Sequence, residues 1–318
     1  MKKQEAPVCW ADSTTNPPAS QGASRDQLRA IFCDIDDFCK AFEPVYHRRL
    51  LHSGQRQRAR QTTLALSEIL TLLVYFHWSH YRTFKHYYME YVTVHLGPYF
   101  PQLVGYHRFV DLIPRALVPL CCSLSTRKGR CTGIAFIDST PLAVCDNHRI
   151  PTHKVFAGLA RRGKTSMGWF FGFKLHLIVN DEGELLAFRL TPGNVDDRQP
   201  VARRAASLGG QLFGDRGSIS QALHDVLLRQ GLELLTKIRR NMKNRLMRLW
   251  DKVLLRKRAL IETSNEQLKH ISQIEHTRHR SVTGFMVNLV AGLVAYSYRP
   301  TKPSLGLRRD PLLPMLVM

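Results

Sequence analysis

Three carboxylates in this sequence sit where the surrounding residues could fix them for chemistry. Asp138 follows the apolar run Ile134-Ala135-Phe136-Ile137 and precedes Ser139-Thr140-Pro141. Residues 134–137 have the length and composition of a buried strand, and the polar group after them is expected to halt it. An acid at that point lies on a rigid element where the core opens to solvent. A lone Asp there would ordinarily begin a turn. A second acid in the same setting changes the reading: Gln211-Leu212-Phe213-Gly214 runs into Asp215, and a helical stretch further on carries Glu262. Three acids from two strand ends and a helix suit Mg²⁺ or Mn²⁺, hard cations that prefer oxygen ligands. Two such ions about 4 Å apart can activate a water or a 3′-hydroxyl and stabilise the leaving oxygen of a phosphodiester.

Helix geometry tests Glu262. With Arg258 at zero and about 100° per residue, Glu262 falls near 40° and Lys269 near 20°. Leu260, Ile261, Leu268, Ile271 and Ile274 occupy the opposite face, so the helix buries its apolar side and presents Arg, Glu and Lys in a line. Alone this is an ordinary Glu–Lys/Arg ladder; beside two further acids it is a site, with Arg258 and Lys269 placed for phosphates. Glu266, near about 80° on the same wheel, is a rival third acid. Asp196 and Asp197 follow Pro192-Gly193-Asn194 and are expected to cap the next helix. His176, on an apolar strand, reads as a core histidine. His276, Arg278, His279 and Arg280 lack the spacing of a metal site and suit contact with DNA or carboxylates.

The charge names the partner's chemistry. Forty-six Lys and Arg against 25 Asp and Glu give +21, with a sequence pI near 10.1. Such an excess calls for an anionic polymer, most simply nucleic acid. It also holds a polyanion over an acidic pocket that would otherwise repel it. A membrane-surface protein would concentrate these cations on one amphipathic helix, whereas they run from Arg48 to Arg309. The most apolar segments, residues 64–78 and 285–298, are too short to span a bilayer and read as core helices. No apolar stretch follows Met1-Lys2-Lys3, so no secretory signal is expected. The seven cysteines, odd in number and without zinc-finger spacing, read as reduced, mostly buried thiols of a cytoplasmic protein.

The elements that must position the acids can be placed along the chain. Residues 1–25, rich in Pro, Ser, Thr and Gln, read as a disordered extension. Residues 26–127 are predicted to be helical, from apolar positions such as Leu28, Ile31, Phe32, Ile35 and Phe38. This domain carries His47-Arg48-Arg49 and a basic stretch holding Arg58 and Arg60, both candidate DNA contacts. In Tyr81-Arg82-Thr83-Phe84-Lys85-His86-Tyr87-Tyr88 cations alternate with aromatics. That interleaving suits phosphate contact with base stacking, and equally a half-buried helix with its rings in the core. Residues 128–299 then read as an α/β domain. A strand enters Asp138, a basic insertion covers 148–164, and a hairpin is joined by Asp181-Glu182-Gly183. Helices and further strands follow, then the basic connector with Lys237, Arg239 and Arg240, and a long helix over 255–274. Residues 300–318 form a tail.

Several motifs recur in order across this pattern. They are Asp36-Asp37-Phe38-Cys39, Phe136-Ile137-Asp138-Ser139-Thr140, Gly172-Phe173-Lys174-Leu175-His176-Leu177 and Thr191-Pro192-Gly193-Asn194-Val195-Asp196-Asp197-Arg198. Gly214-Asp215-Arg216-Gly217, Lys237-Ile238-Arg239-Arg240-Asn241, Ile261-Glu262-Thr263 and Ile274-Glu275-His276-Thr277-Arg278-His279-Arg280-Ser281 continue the series. Together they resemble the DDE transposases of bacterial insertion sequences, and among these the family named after insertion sequence 982. The resemblance implies an RNase H-like mixed sheet with flanking helices behind an all-helical N-terminal domain. It implies a metal-binding catalytic triad of Asp138, Asp215 and Glu262 holding two Mg²⁺ or Mn²⁺ ions, with Arg258 and Lys269 as basic companions. The usual Tyr three residues before Arg258 is Leu255. The implied reaction is cleavage at element ends and transfer of the freed 3′-hydroxyl into target DNA, by a homodimer or higher assembly on terminal inverted repeats. The resemblance thus implies double-stranded DNA as the partner and a nucleoid-associated protein. The alternatives are an RNase H-like nuclease or resolvase without strand transfer, and an inactive, transposase-derived DNA-binding protein.

Overall fold

A computed structural model describes residues 25–54, 63–166, 168–215, 220–236, 247–275 and 279–307. Residues 1–24, Arg58, Arg60, Lys237, Arg239 and Arg240 lie outside the described residues, so the expectations attached to them have no structural counterpart. The chain divides into two compact units, Met1–Ala116 and Leu117–Met318.

The first unit is helical. In α1 (Arg25–His52) Leu28, Ile31, Ile35 and Cys39 form a buried stripe against α2 (Leu66–Phe76), itself buried on nearly every side. A short α3 (Phe84–His86) continues into a π-helical turn, Tyr87–Val92, and α4 (Thr93–His95); α5 (Tyr106–Leu112) follows. Tyr87, Tyr88 and Phe109 are fully buried, while Arg82, Lys85 and His86 remain exposed. The rings of the 81–88 stretch therefore serve the core, and only its cations face solvent.

The second unit opens with α6 (Leu117–Thr126), which packs on the long apolar α11 introduced below; the boundary between units thus falls ahead of the 127/128 boundary expected from sequence. A six-stranded mixed sheet follows, built from β1 (Ile134–Cys145), β2 (Arg161–Thr165), β3 (Gly168–Asn180), β4 (Leu185–Pro192), β5 (Gly210–Gly214) and β6 (Leu232–Thr236). The strand order is β2-β3-β1-β5-β6, with β4 also pairing β3. β1 is antiparallel to β3 and parallel to β5, and β5 is parallel to β6.

Four helices flank the sheet after β4: α7 (Val201–Arg204), α8 (Gln221–Arg229), α9 (Leu249–Arg256) and α10 (Ala259–Glu266); α11 (Val282–Ser297) closes the unit. Alternate residues of β1 point to opposite faces. Ala135 and Ile137 pack with Val201, Ala205, Leu223 and Leu227 around α7 and α8. Asp138 faces the other side, where α10 crosses β1. Ser220 and Ser281 cap α8 and α11 by accepting from the amides of Leu223 and Gly284. The described part of the C-terminal tail is tied back by the Leu305 amide, which donates to Asp181 O at 2.8 Å.

Three sequence expectations change. β1 is not halted after Ile137; it runs through Asp138 and Pro141 to Cys145. Among the described residues its only paired neighbour beyond Phe136 is β3, and a strand with one open side tolerates a proline. The single helix over 255–274 is instead α9, a break at Lys257-Arg258, α10 and a π-helical turn, Gln267–Ile271. Of the six described cysteines only Cys39 is buried; all six are free thiols. One helical stretch among the described residues, Tyr106–Thr126, has the length and hydropathy of a membrane span, but it is broken into α5, a 3₁₀ turn and α6.

Candidate active site

Strand register brings the two aspartates together. β1 and β5 place Phe136 opposite Phe213, and the two buried rings stack with centroids 5.4 Å apart. Asp138 and Asp215 each follow that pair by two residues. They therefore reach the same level, Asp138 within β1 and Asp215 just past the end of β5.

α10 supplies the rest. Arg258 stands at its N-cap, and its side chain, 13% exposed, reaches all three acids. Nη1 lies 3.6 Å from Asp138 Oδ1, while Nη2 lies 3.8 Å from Asp215 Oδ1 and donates to Glu262 Oε1 at 2.5 Å. The Arg258–Glu262 pair is the i,i+4 contact that the helix wheel anticipates. What the wheel does not reveal is that the guanidinium is the hub of the whole cluster.

The acids differ in environment. Asp138 is the most enclosed, at 24% side-chain exposure against 56% for Asp215 and 54% for Glu262. Burial pushes its carboxyl up to about 6. The charge of Arg258 and the Ser139 amide pull it down, and the charges of Glu262 and Asp215 push it further up. Asn265, on α10 and itself buried, donates from Nδ2 to Asp138 Oδ2 at 2.9 Å. Sequence reasoning passed over this residue, although it lies at i+7 from Arg258, near about 340° on the same wheel.

The other candidates resolve individually. Glu266 turns to His270, 2.9 Å away, and both side chains are exposed. Lys269 turns to Glu275 at 3.3 Å. The π-helical turn widens the helix at this point and shifts the phase of residues beyond Gln267, so Lys269 leaves the stripe drawn by a uniform wheel. Asp196 pairs with Arg198, whose side chain is the main cause of its low pKa, about 2. Asp197 pairs with Lys174 at 3.1 Å. Neither caps α7, whose N-cap is Pro200. His176 is a core residue, with Nε2 2.8 Å from Thr191 Oγ1. His276 and Arg278 lie outside the described residues, and His279 meets the Phe285 ring edge-on.

A cavity of about 200 Å³ opens beside the aspartates, lined in part by Asp138, Ser139, Lys164, Lys174, Asp197 and Asp215. Acids and lysines on one cavity wall suit a phosphate group approached by a cation.

The donor set fits a hard divalent ion. It is all carboxylate oxygen, and the three groups already converge on one positive charge. Arg258 Nη2 donates to Glu262, whereas Nη1 is buried with no hydrogen-bond partner among the described residues, so the guanidinium meets the cluster's charge with one donor unmet. Among the described residues no three of His, Cys, Asp and Glu lie close enough together, as placed, to hold an ion by themselves; Arg258 is what joins them.

Residues 128–282 match the family model of the transposase DDE domain. The matched span contains Asp138, Asp215, Arg258, Glu262 and Asn265. It supports a DDE transposase, an enzyme acting on DNA in transposition. Searches of curated proteins and of solved structures each gave no significant match.

Proposed function

We propose that this chain is a transposase of the insertion-sequence 982 type, in which Asp138, Asp215 and Glu262 hold two divalent ions. The observation that carries the reading is the convergence of these three acids on one cation inside the span matched by the transposase DDE domain. With the short β2 set aside, the sheet order is β4-β3-β1-β5-β6, with β3 antiparallel and β5 and β6 parallel to β1. That order, with acids on β1 and just past β5, supports an RNase H-like fold.

When bound, Mg²⁺ or Mn²⁺ supplies activation of a water or 3′-hydroxyl and stabilises the leaving oxygen. The chain's own residues do the rest. β1 and β5 fix two carboxylates at one level, and α10 brings the third across the sheet. Arg258 offsets part of their mutual repulsion and lowers the cost of bringing a polyanion close. Lys164 and Lys174 offer cations to the phosphates from the cavity wall. The net charge of +21 gives the long-range attraction for double-stranded DNA, with Lys237, Arg239, Arg240, Arg58, Arg60 and Lys269 as further contacts. Joining two terminal inverted repeats to one target calls for a homodimer or higher assembly.

The test is a mobilisation assay in cells, using a marker flanked by the DNA that borders this gene. Insertions from the unaltered protein, with short target duplications and none from Asp138→Ala, Asp215→Ala or Glu262→Ala, are the expected result. Cleaved ends without insertions would favour a nuclease or resolvase. Neither cleavage nor insertion, from soluble protein that binds the ends, would favour an inactive DNA-binding protein.

A further inference from the structure

We propose that Asn265 is a positioning residue that sets the Asp138 carboxylate for cation binding. This inference rests on the reading of Asp138 as a metal ligand.

Asn265 lies three residues past Glu262 on α10 and is 4% exposed. A buried amide is costly unless both of its polar ends are satisfied. Among the described residues only one end is engaged: Nδ2 donates to Asp138 Oδ2 at 2.9 Å, whereas Oδ1 is buried with no partner there. A Leu at this position would fill similar space without an unmet acceptor, so packing alone does not explain an amide.

The bond to Asp138 does explain it. It spans 127 positions of sequence and ties the helix that carries Glu262 to the strand that carries Asp138. It occupies one carboxylate oxygen, Oδ2, and leaves the other, Oδ1, on the side of the Arg258 guanidinium, where the three acids meet. A carboxylate anchored by one oxygen loses its freedom to rotate about its terminal torsion. The donor is also neutral. An Asp in its place would set a fourth negative charge against Asp138, whereas the amide orients the acid and adds no charge. Arg258, Glu262 and Asn265 thus share one stripe of α10 at i, i+4 and i+7 as cation, acid and orienting donor.

Hydrogen-bond partners of metal ligands typically change metal affinity by about 10- to 100-fold when removed. The test is calorimetric titration of the full-length protein with Mn²⁺ alone, without DNA, comparing wild type, Asn265→Ala, Asn265→Leu and Asp138→Ala. Asn265→Leu guards against a cavity, since it restores volume and removes the unmet acceptor. The expected result is a Mn²⁺ dissociation constant raised by about tenfold or more in both Asn265 variants, with Asn265→Leu still unfolding cooperatively in EDTA. Asn265 variants that bind Mn²⁺ as tightly as wild type, while Asp138→Ala does not bind it, would overturn the inference alone. Undiminished binding by Asp138→Ala would instead overturn the metal-ligand reading on which it rests.

Discussion

Arg258 and Glu262 are joined by a 2.5 Å contact across one helical turn, and the same guanidinium nitrogen lies 3.8 Å from Asp215. One side chain thus offsets charge on elements far apart in sequence. Replacing it with Ala leaves two or three carboxylates facing one another in a partly buried site. Glu262 and Asp215 are more than half exposed, so solvent screens their share of the loss and the cost falls mainly on the more enclosed Asp138. Arg258→Ala is therefore expected to lower the thermal midpoint in EDTA, and added Mn²⁺ should raise it by more than in wild type. A scanning-fluorimetry titration checks this; equal metal-induced shifts in the two proteins would contradict it.

Asp138 makes the metal-free protein pH-sensitive. Its folded pKa, about 6, lies above the ordinary 3.8, so the folded state binds the proton more tightly than the unfolded state. The contribution of this group to stability is therefore present at pH 4 and is lost as pH rises through about 6. With part of the side chain open to solvent, the step is on the order of 2 kcal/mol. Urea unfolding in EDTA at pH 4.5 and pH 7.5 should show this step in wild type and its absence in Asp138→Asn.

The stacked pair beneath the acids sets their level. Phe136 and Phe213 are both fully buried, and removing one ring from such a core typically costs about 3–5 kcal/mol. Phe213→Ala should lose stability on that scale and also weaken Mn²⁺ binding, because β5 would no longer be pinned against β1. Mn²⁺ titration at a temperature where the variant remains folded checks the second half; unchanged affinity would show that the ring pair does not set the site.

Glu266 was the rival third acid, and its contact with His270 places it outside the cluster. Because Glu266 is exposed and pairs with His270 away from Arg258, Glu266→Ala should leave stability nearly unchanged and end cleavage close to wild type. A loss comparable to that of Glu262→Ala would move the third carboxylate to position 266.

How much was legible before folding varies residue by residue. Asp138 and Asp215 stood out because each follows a short apolar run, although only Asp215 lies at a strand end, and the i,i+4 spacing of Arg258 and Glu262 needs only a regular helix. The true end of β1 was not legible, since Pro141 resembles a terminator unless the strand is known to have an open side. Lys269 was misplaced because a π-helical turn changes the angle per residue, which a uniform wheel omits. Asn265 sat on the right stripe, but an Asn on a helix carries no sign of what it will face. Arg258 as a hub depended on the β1–β5 register, a long-range pairing that local pattern does not encode.

The most direct measurement is single-turnover cleavage of a labelled element end in Mg²⁺, with DNA binding measured in parallel. The proteins to compare are wild type, Asp138→Asn, Asp215→Asn and Glu262→Gln. A fall in cleavage rate of about a thousandfold or more in each variant, with end binding retained, is the expected result for three carboxylates acting as one metal site. Wild-type cleavage that survives any one of these three changes would contradict the shared site.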